Sequence, residues 1–360
     1  MRGSRQHDDG SLDNILNTTL GFQKIYVINL PRRTDHRDQA SLAAHLTDLQ
    51  IEYIDGVTEV EEKTLPLGGD AITSEGAIGA WRAHANVYRA IVENNITSAL
   101  VLEDDSDWDI RIKSQMQEFA KASRLLVQPL QGTTDKFLDP TYYSFDAPVQ
   151  RDFYVGEHTT TTPTNSPYGD TQNWDYFWLG HCGAKFPQPS DAPIPQGRAV
   201  LLNDQTVPEK QHIDAQFGDG LLTEEYPEHT RVISRVHDNV CTSAYAITLE
   251  GARRYLYELA INKFDKGVDL MMGDMCEGRD GRPMRTCLSV HPQLFQHHRP
   301  IARKTSFSDI GDLSGEGYSE QAFTRNIRWA TRVNFQALVY GSTDYVDLFP
   351  DGGERPDLHT

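Results

Sequence analysis

The chain has 360 residues, 38% of them hydrophobic, with 15 Tyr, 14 Phe and 5 Trp, enough to bury a full core and unlike a disordered polymer. Its 52 acidic against 34 basic residues give a formal charge of -18, which repels nucleic acid and anionic membranes and welcomes a cation. Cys182, Cys241, Cys276 and Cys287 form no CxxC pair, which excludes a zinc knuckle or a dense disulfide scaffold and leaves one or two disulfides open.

Residues 1–22 read as a flexible lead-in without the apolar centre of a signal peptide. No run approaches the roughly 20 apolar residues of a membrane helix, which leaves room only for an anchor removed from the N-terminus. Residues 24–30, KIYVINL, form a β-branched and aromatic run of strand length closed by Pro31. Behind the cap candidate Thr34, Leu42, Leu46 and Leu49 stand four and three apart and predict a helix. Residues 51–54, IEYI, return to strand, so the order is that of a βαβ unit. Behind Thr73 and Ser74, a second helix carries Ile78, Trp81, Ala85, Tyr88 and Val92 on one face and ends at Asn94 and Asn95. It feeds a third strand, SALVL, at residues 98–102.

From about 128 to 236 the text loosens into Thr- and Pro-rich, loop-like passages with one strand candidate at 175–179. Pattern resumes with the strand TSAYAIT at 242–248, a helix from Leu249 with Leu256 and Leu259 on its apolar face, and the strand RTCLSVHP leading to QLFQHHRP. The expected organisation is an α/β domain over 23–300 carrying a loop-rich insertion, then a polar C-terminal extension over 301–360 with one helix between 320 and 340.

The third strand runs straight into Glu103, Asp104, Asp105, Asp107 and Asp109, at the carboxyl end where open α/β sheets place ligand sites. Adjacent carboxylates repel one another unless a divalent cation or a set of backbone donors neutralises them. Oxygen ligands suit Mg²⁺ or Mn²⁺ better than zinc, and phosphate oxygens of a nucleotide diphosphate would complete the octahedron. The alternative is a solvated acidic turn with Asp105 capping a following helix. Arg32, Arg33 and Arg37 follow the first strand, where they could grip an anion bidentately or pair with surface acids. Asp269 and Asp274, within KGVDLMMGD, are candidates to take a proton from an acceptor hydroxyl, or else are caps and loop hydrogen-bonders. His297 and His298 follow a strand as metal-ligand candidates, or as exposed histidines with no such duty. The phosphate loop GxxxxGK[ST] and the GxGxxG, GxSxG and HExxH motifs are all missing from the sequence.

Taken in order, KIYVINLPRRTDHR, GAIGAWRAHANVYRAIVENNITSALVLEDDSDWD, WDYFWLGHCG, TSAYAITLEGARRYL and VDLMMGD resemble the family-25 glycosyltransferases. That family includes bacterial lipooligosaccharide galactosyltransferases and collagen hydroxylysine galactosyltransferases. The resemblance implies a glycosyltransferase-A type fold, a Rossmann-like, mostly parallel sheet flanked by helices. It also implies transfer, with inversion, of a sugar such as galactose from a UDP-sugar donor to a hydroxyl acceptor on a glycan or protein.

In such enzymes a DxD-type motif holds Mn²⁺, or Mg²⁺, against the diphosphate. Here Glu103, Asp104 and Asp105 take that place, with His297 as a further ligand candidate; a literal DxD at Asp105, Ser106 and Asp107 leaves the register open. Asn29, Leu30, Arg32 and Arg33 would line the nucleotide, Asp55 would reach its base or ribose, and Gly76 and Gly79 would border the pocket. Asp269 falls where the family carries an aspartate near the acceptor, with Asp274 as the second candidate. The long insertion departs from short bacterial members and is expected to alter acceptor choice. Sequons at Asn17 and Asn95, together with the resemblance, favour the ER or Golgi lumen over the cytoplasm. Rival readings are a glycosidase or metal phosphoesterase, and a catalytically silent member that binds a nucleotide or glycan.

Overall fold

The computed structural model describes residues 10–72, 74–144, 151–310 and 317–354. β1 (Lys24–Asn29) leads through α1 (Thr34–Leu46) to β2 (Glu52–Asp55), and α2 (Glu75–Glu93) leads to β3 (Ser98–Glu103). Then come β4 (Ser106–Trp108), α3 (Ile112–Val127), β5 (Asp152–Tyr154), β6 (Tyr176–Gly180), β7 (Arg198–Leu201), α4 (Leu221–Glu225) and β8 (Arg231–Arg235). β9 (Ala244–Thr248) runs directly into α5 (Leu249–Tyr257), followed by α6 (Val268–Glu277), β10 (Cys287–His291) and β11 (Phe295–Arg299). Short strands β12 (Ala302–Arg303), β13 (Tyr318–Ser319) and β14 (Phe323–Thr324) precede α7 (Phe335–Tyr340). Thr73, a cap candidate, lies outside the described residues; Ser74 caps α2, its Oγ accepting from the Ala77 amide at 3.2 Å.

A nine-stranded sheet runs in the order β2-β1-β3-β9-β6-β10-β8-β7-β5. β1 pairs in parallel with β2 and β3, as the expected βαβ order requires. Only β8 and β9 run against the other strands of this sheet. This mostly parallel sheet with helices on both faces is the expected glycosyltransferase-A type architecture. Alternation within the strands builds the two faces. Ile25, Val27, Leu100, Leu102, Phe177 and Leu179 point to the side of α3, while Tyr26, Val101, Tyr176, Trp178 and Tyr245 point to the side of α2, α5 and α6. On the second face Tyr176 stacks between Tyr245 and Tyr255, with ring centroids 4.9 and 5.3 Å apart.

Three regions differ from the sequence-based expectation. Residues 128–236 are largely loop, as expected, but they contribute β5, β7 and β8 to the sheet as well as the expected β6. The lead-in is packed from Leu12 onward, with Leu12, Ile15, Leu20 and Phe22 buried and Phe22 stacked on Tyr168 at 4.6 Å; residues 1–9 lie outside the described part. Among its described residues the extension holds one α-helix, the six-residue α7, and also covers the sheet end, with β14 paired to β11 and Ala330 bridged to Asp109. All four cysteines are paired, as Cys182–Cys241 and Cys276–Cys287. Among the described residues, no helix is long and apolar enough to cross a membrane.

Candidate active site

Parallel pairing places Ile28 of β1 beside Glu103 of β3, so the loops leaving these strands meet at one sheet edge. There they border a cavity of about 440 Å³, walled by Leu30 and Arg32, residues 56–59, the first turns of α2, the acidic turn, and residues 307–310. The glycines of α2 make this packing feasible. A Cβ on Gly79 would lie 2.2 Å from the Val57 carbonyl oxygen, and one on Gly76 would lie 2.7 Å from the Ile310 Cα. Both expected glycines therefore border the cavity because the chain passes too close for a side chain.

The five carboxylates divide into two sets. Glu103 accepts from the Thr242 hydroxyl at 2.6 Å and faces His297 Nε2 at 3.0 Å and His84 Nε2 at 3.7 Å. Asp104 accepts from Asn29 Nδ2 and meets His36 Nδ1, both at 2.7 Å. Asp105 accepts from Arg299 Nη1 at 3.0 Å and lies 3.9 Å from His297. All three line the cavity. Asp107 and Asp109, by contrast, are fully buried. Asp107 accepts from the Thr324 hydroxyl at 2.8 Å and from the Trp108 and Arg332 amides at 2.9 and 3.2 Å; Asp109 is bound by Arg111 and by the Trp329 amide. The literal DxD register is thereby split, since its second aspartate is used up in the interior. No helix follows Asp105 for it to cap; β4 does.

Among the described residues, Glu103, Asp105 and His297 each place a ligand atom within 4.8 Å of the others. Burial opposes charge on Glu103, yet His297 and His84 hold its carboxyl below the usual range. Burial likewise opposes charge on Asp105, and the charges of His297 and Arg299 outweigh it. His297 responds in kind: burial disfavours its imidazolium, but Asp105 and Glu103 hold its pKa above the ordinary value. Two carboxylates and an imidazole fit a divalent cation of the Mn²⁺ type. A second cluster, His237, Asp238 and Glu277, is instead tied to Arg279 and Lys185, so its negative charge is already neutralised.

The remaining expected residues scatter around this centre. Leu30 and Arg32 line the cavity; Asn29 does not, and serves instead to orient Asp104. Arg33 is also outside the lining: it is engaged with Asp35, His36, Asp309 and the Ser306 carbonyl, and with Arg32 it fastens the 307–310 wall through Asp309. Asp55 is exposed at the end of β2 and only its neighbours from Gly56 onward reach the cavity. His298, expected at the surface or on a metal, is buried against Thr324 and Asp107.

Asp269 lies in the first turn of α6, its oxygens accepting from the Cys241 and Leu270 amides at 2.8 and 2.9 Å. Because Thr242, next to Cys241, holds Glu103, Asp269 is linked to the carboxylate cluster through two residues. Asp274 is not brought there. It points to the other side of α6, where Lys266 at 2.7 Å and Arg282 at 3.6 Å engage it. Sequence reasoning missed His36, His84, Thr242 and Arg299; His36 alone was visible, one turn after the arginines in NLPRRTDHR.

Comparison with known proteins points the same way. A family model described as Glycosyltransferase family 25 (LPS biosynthesis protein) matches residues 22–272. Procollagen galactosyltransferase 1 of Danio rerio is 28% identical over 112 residues, 27% of this chain and 18% of that protein. Procollagen galactosyltransferase 1-A of Xenopus laevis is 30% identical over 115 residues, and procollagen galactosyltransferase 2 of Homo sapiens 25% identical over 113 residues. The chain spans less than a fifth of the length of these relatives, at 18% of each. The family match takes in every strand from β1 to β9, the acidic turn and Asp269, and the chain belongs to glycosyltransferase family 25.

Proposed function

We propose that this chain is a divalent-cation-dependent glycosyltransferase that moves a sugar, galactose, from a UDP-sugar to a hydroxyl acceptor on a glycan or protein, with inversion at the anomeric carbon. The observation that carries this reading is the convergence of Glu103, Asp105 and His297 at the edge of a cavity large enough for a nucleotide. Those three residues would hold Mn²⁺ or Mg²⁺, which when bound supplies charge stabilisation to the departing diphosphate. Arg32, half exposed on the cavity wall, adds a guanidinium for the same anion. Asn29 and His36 fix Asp104, and His84 and Thr242 fix Glu103, so the acidic turn is held in place before donor arrives.

Asp269 takes the proton of the acceptor hydroxyl as the new glycosidic bond forms. Two backbone amides hold its carboxylate, and no cationic side chain competes for it among the described residues. Cys241 and Thr242 join it to Glu103 of the acidic turn, and inversion requires such a base to act at the sugar face opposite the leaving diphosphate. Two disulfides suit an oxidising compartment such as the ER or Golgi lumen.

A thermal-shift screen of UDP-, GDP- and CMP-sugars with and without Mn²⁺ tests the reading, because a ligand selective for the folded state raises its apparent stability. The expected result is stabilisation by UDP-sugars that depends on Mn²⁺, followed by Mn²⁺-dependent release of UDP. Release of free sugar from oligosaccharides in EDTA would replace it with the glycosidase reading.

A further inference from the structure

We propose that the Cys182–Cys241 disulfide is a positioning element of the transfer reaction, holding Asp269 and His297 in register with the acidic turn. This rests on the reading of Asp269 as base and of Glu103, Asp105 and His297 as the cation site. Each half-cystine touches one of those groups. The amide of Cys241 donates to Asp269 Oδ2 at 2.8 Å, and the sulfur of Cys182 lies 3.8 Å from His297 Nδ1. The other nitrogen of His297 faces Glu103 at 3.0 Å. With Nδ1–H directed at sulfur, Nε2 is the nitrogen left to face a cation, and a ligand's orienting partner sets both tautomer and ring angle.

The bond also ties together two loops 59 residues apart in sequence. The Cys182 amide donates to the Val240 carbonyl at 2.9 Å, and the Val240 amide donates back to Gly183 at 3.1 Å. Cys241 sits at φ +63°, a left-handed conformation that a side chain of its kind rarely adopts and that persists only where its surroundings enforce it. That conformation aims its amide at Asp269, while Trp178 Nε1 holds its carbonyl at 2.8 Å and Thr242 beside it holds Glu103. One covalent bond thus joins the base, through Cys241, to the imidazole, through Cys182.

The Cys276–Cys287 disulfide supplies an internal control. It joins α6 to β10 inside the core, beside the Tyr255 hydroxyl, and neither of its cysteines bonds to Asp269, His297 or the acidic turn.

The experiment compares two double variants of the full chain, Cys182→Ser with Cys241→Ser, and Cys276→Ser with Cys287→Ser. Turnover is read as Mn²⁺-dependent hydrolysis of UDP-galactose to UDP and galactose, beside the melting temperature and the thermal shift given by UDP. The first variant is expected to retain the UDP shift and a donor KM within about threefold of the parent. Its Mn²⁺ affinity should weaken about tenfold and its kcat at saturating Mn²⁺ fall at least about thirtyfold, the scale of losing an orienting partner and an aligned base. The second variant is expected to melt earlier while keeping kcat within about twofold.

Equal losses of kcat in the two variants, or full kcat in a folded first variant, would overturn the proposal. Should the first variant not fold, the parent is reduced under native conditions and alkylated, and each opened disulfide is counted by mass spectrometry. A kcat that falls in step with opening of Cys182–Cys241, at unchanged circular dichroism, supports the proposal; a kcat indifferent to that opening refutes it. A parent that shows no Mn²⁺-dependent UDP shift and no hydrolysis would remove the proposed function itself, a separate result from either variant outcome.

Discussion

Asp105 and Asp107 stand two residues apart in the same acidic run, yet their surroundings have little in common. Asp105 borders the cavity with the Arg299 guanidinium at 3.0 Å, a partner that a metal ion could replace, and with His297, which would share that ion. Asp107 is sealed from solvent and accepts from a threonine hydroxyl and two backbone amides. The difference shows how one cluster of like charges serves two purposes. Carboxylates whose partners can leave are available for ligation, whereas those that satisfy buried amides anchor the extension beneath the site.

Asp269, held by amides alone, marks a third setting, and its replacement is expected to give the largest effect on turnover. Asp269→Asn should lower kcat about 10³-fold with Mn²⁺ and UDP binding unchanged, the range attributed to a positioned general base; steady-state kinetics beside calorimetric titration with UDP checks this. For Asp107→Asn the loss should fall on folding instead. Urea denaturation is expected to show about 3 kcal/mol of destabilisation, because an amide group would face donors that need an acceptor, while the folded protein keeps its Mn²⁺-dependent UDP shift. A smaller change tests the cavity wall. Gly79→Ala must push the Val57 carbonyl away, and should raise the donor KM about tenfold, or about 1.4 kcal/mol, with kcat little altered.

Much of this arrangement was legible in the residues. The first half of the sheet carries strong signals: the apolar runs of β1 and β3 and the 3.6-residue face of α2 appear where the sequence predicts them. β5, β7 and β8 were hidden because they are three to five residues long, are set among Pro- and Thr-rich loops, and gain their stability from partners distant in sequence. The packing of residues 12–22 was hidden for the same reason, since Leu12, Ile15, Leu20 and Phe22 have no regular spacing and meet Tyr168 only in the folded chain.

The site was readable in type rather than in detail. Glu103 to Asp105 emerged from their place after a strand, but the choice of Asp105 over Asp107 depends on Thr324 and Arg332, more than 200 positions away. Asp274 could have been set aside earlier. Five residues along a helix is a rotation of roughly 140°, so Asp269 and Asp274 cannot share a face once both lie in α6. His84, Thr242 and Arg299 carry no local motif, and only the sheet brings them to Glu103 and Asp105.

The most direct test of the cation site is a Mn²⁺ titration followed by electron paramagnetic resonance in the presence of UDP, on the parent, Asp105→Asn and Asp107→Asn. One Mn²⁺ is expected to bind the parent and the folded Asp107→Asn alike. Affinity should fall about 100-fold or more in Asp105→Asn, since even outer-shell partners of a metal are worth about 10- to 100-fold. Equal Mn²⁺ affinity in the parent and Asp105→Asn would contradict a cation held by the turn at residues 103–105.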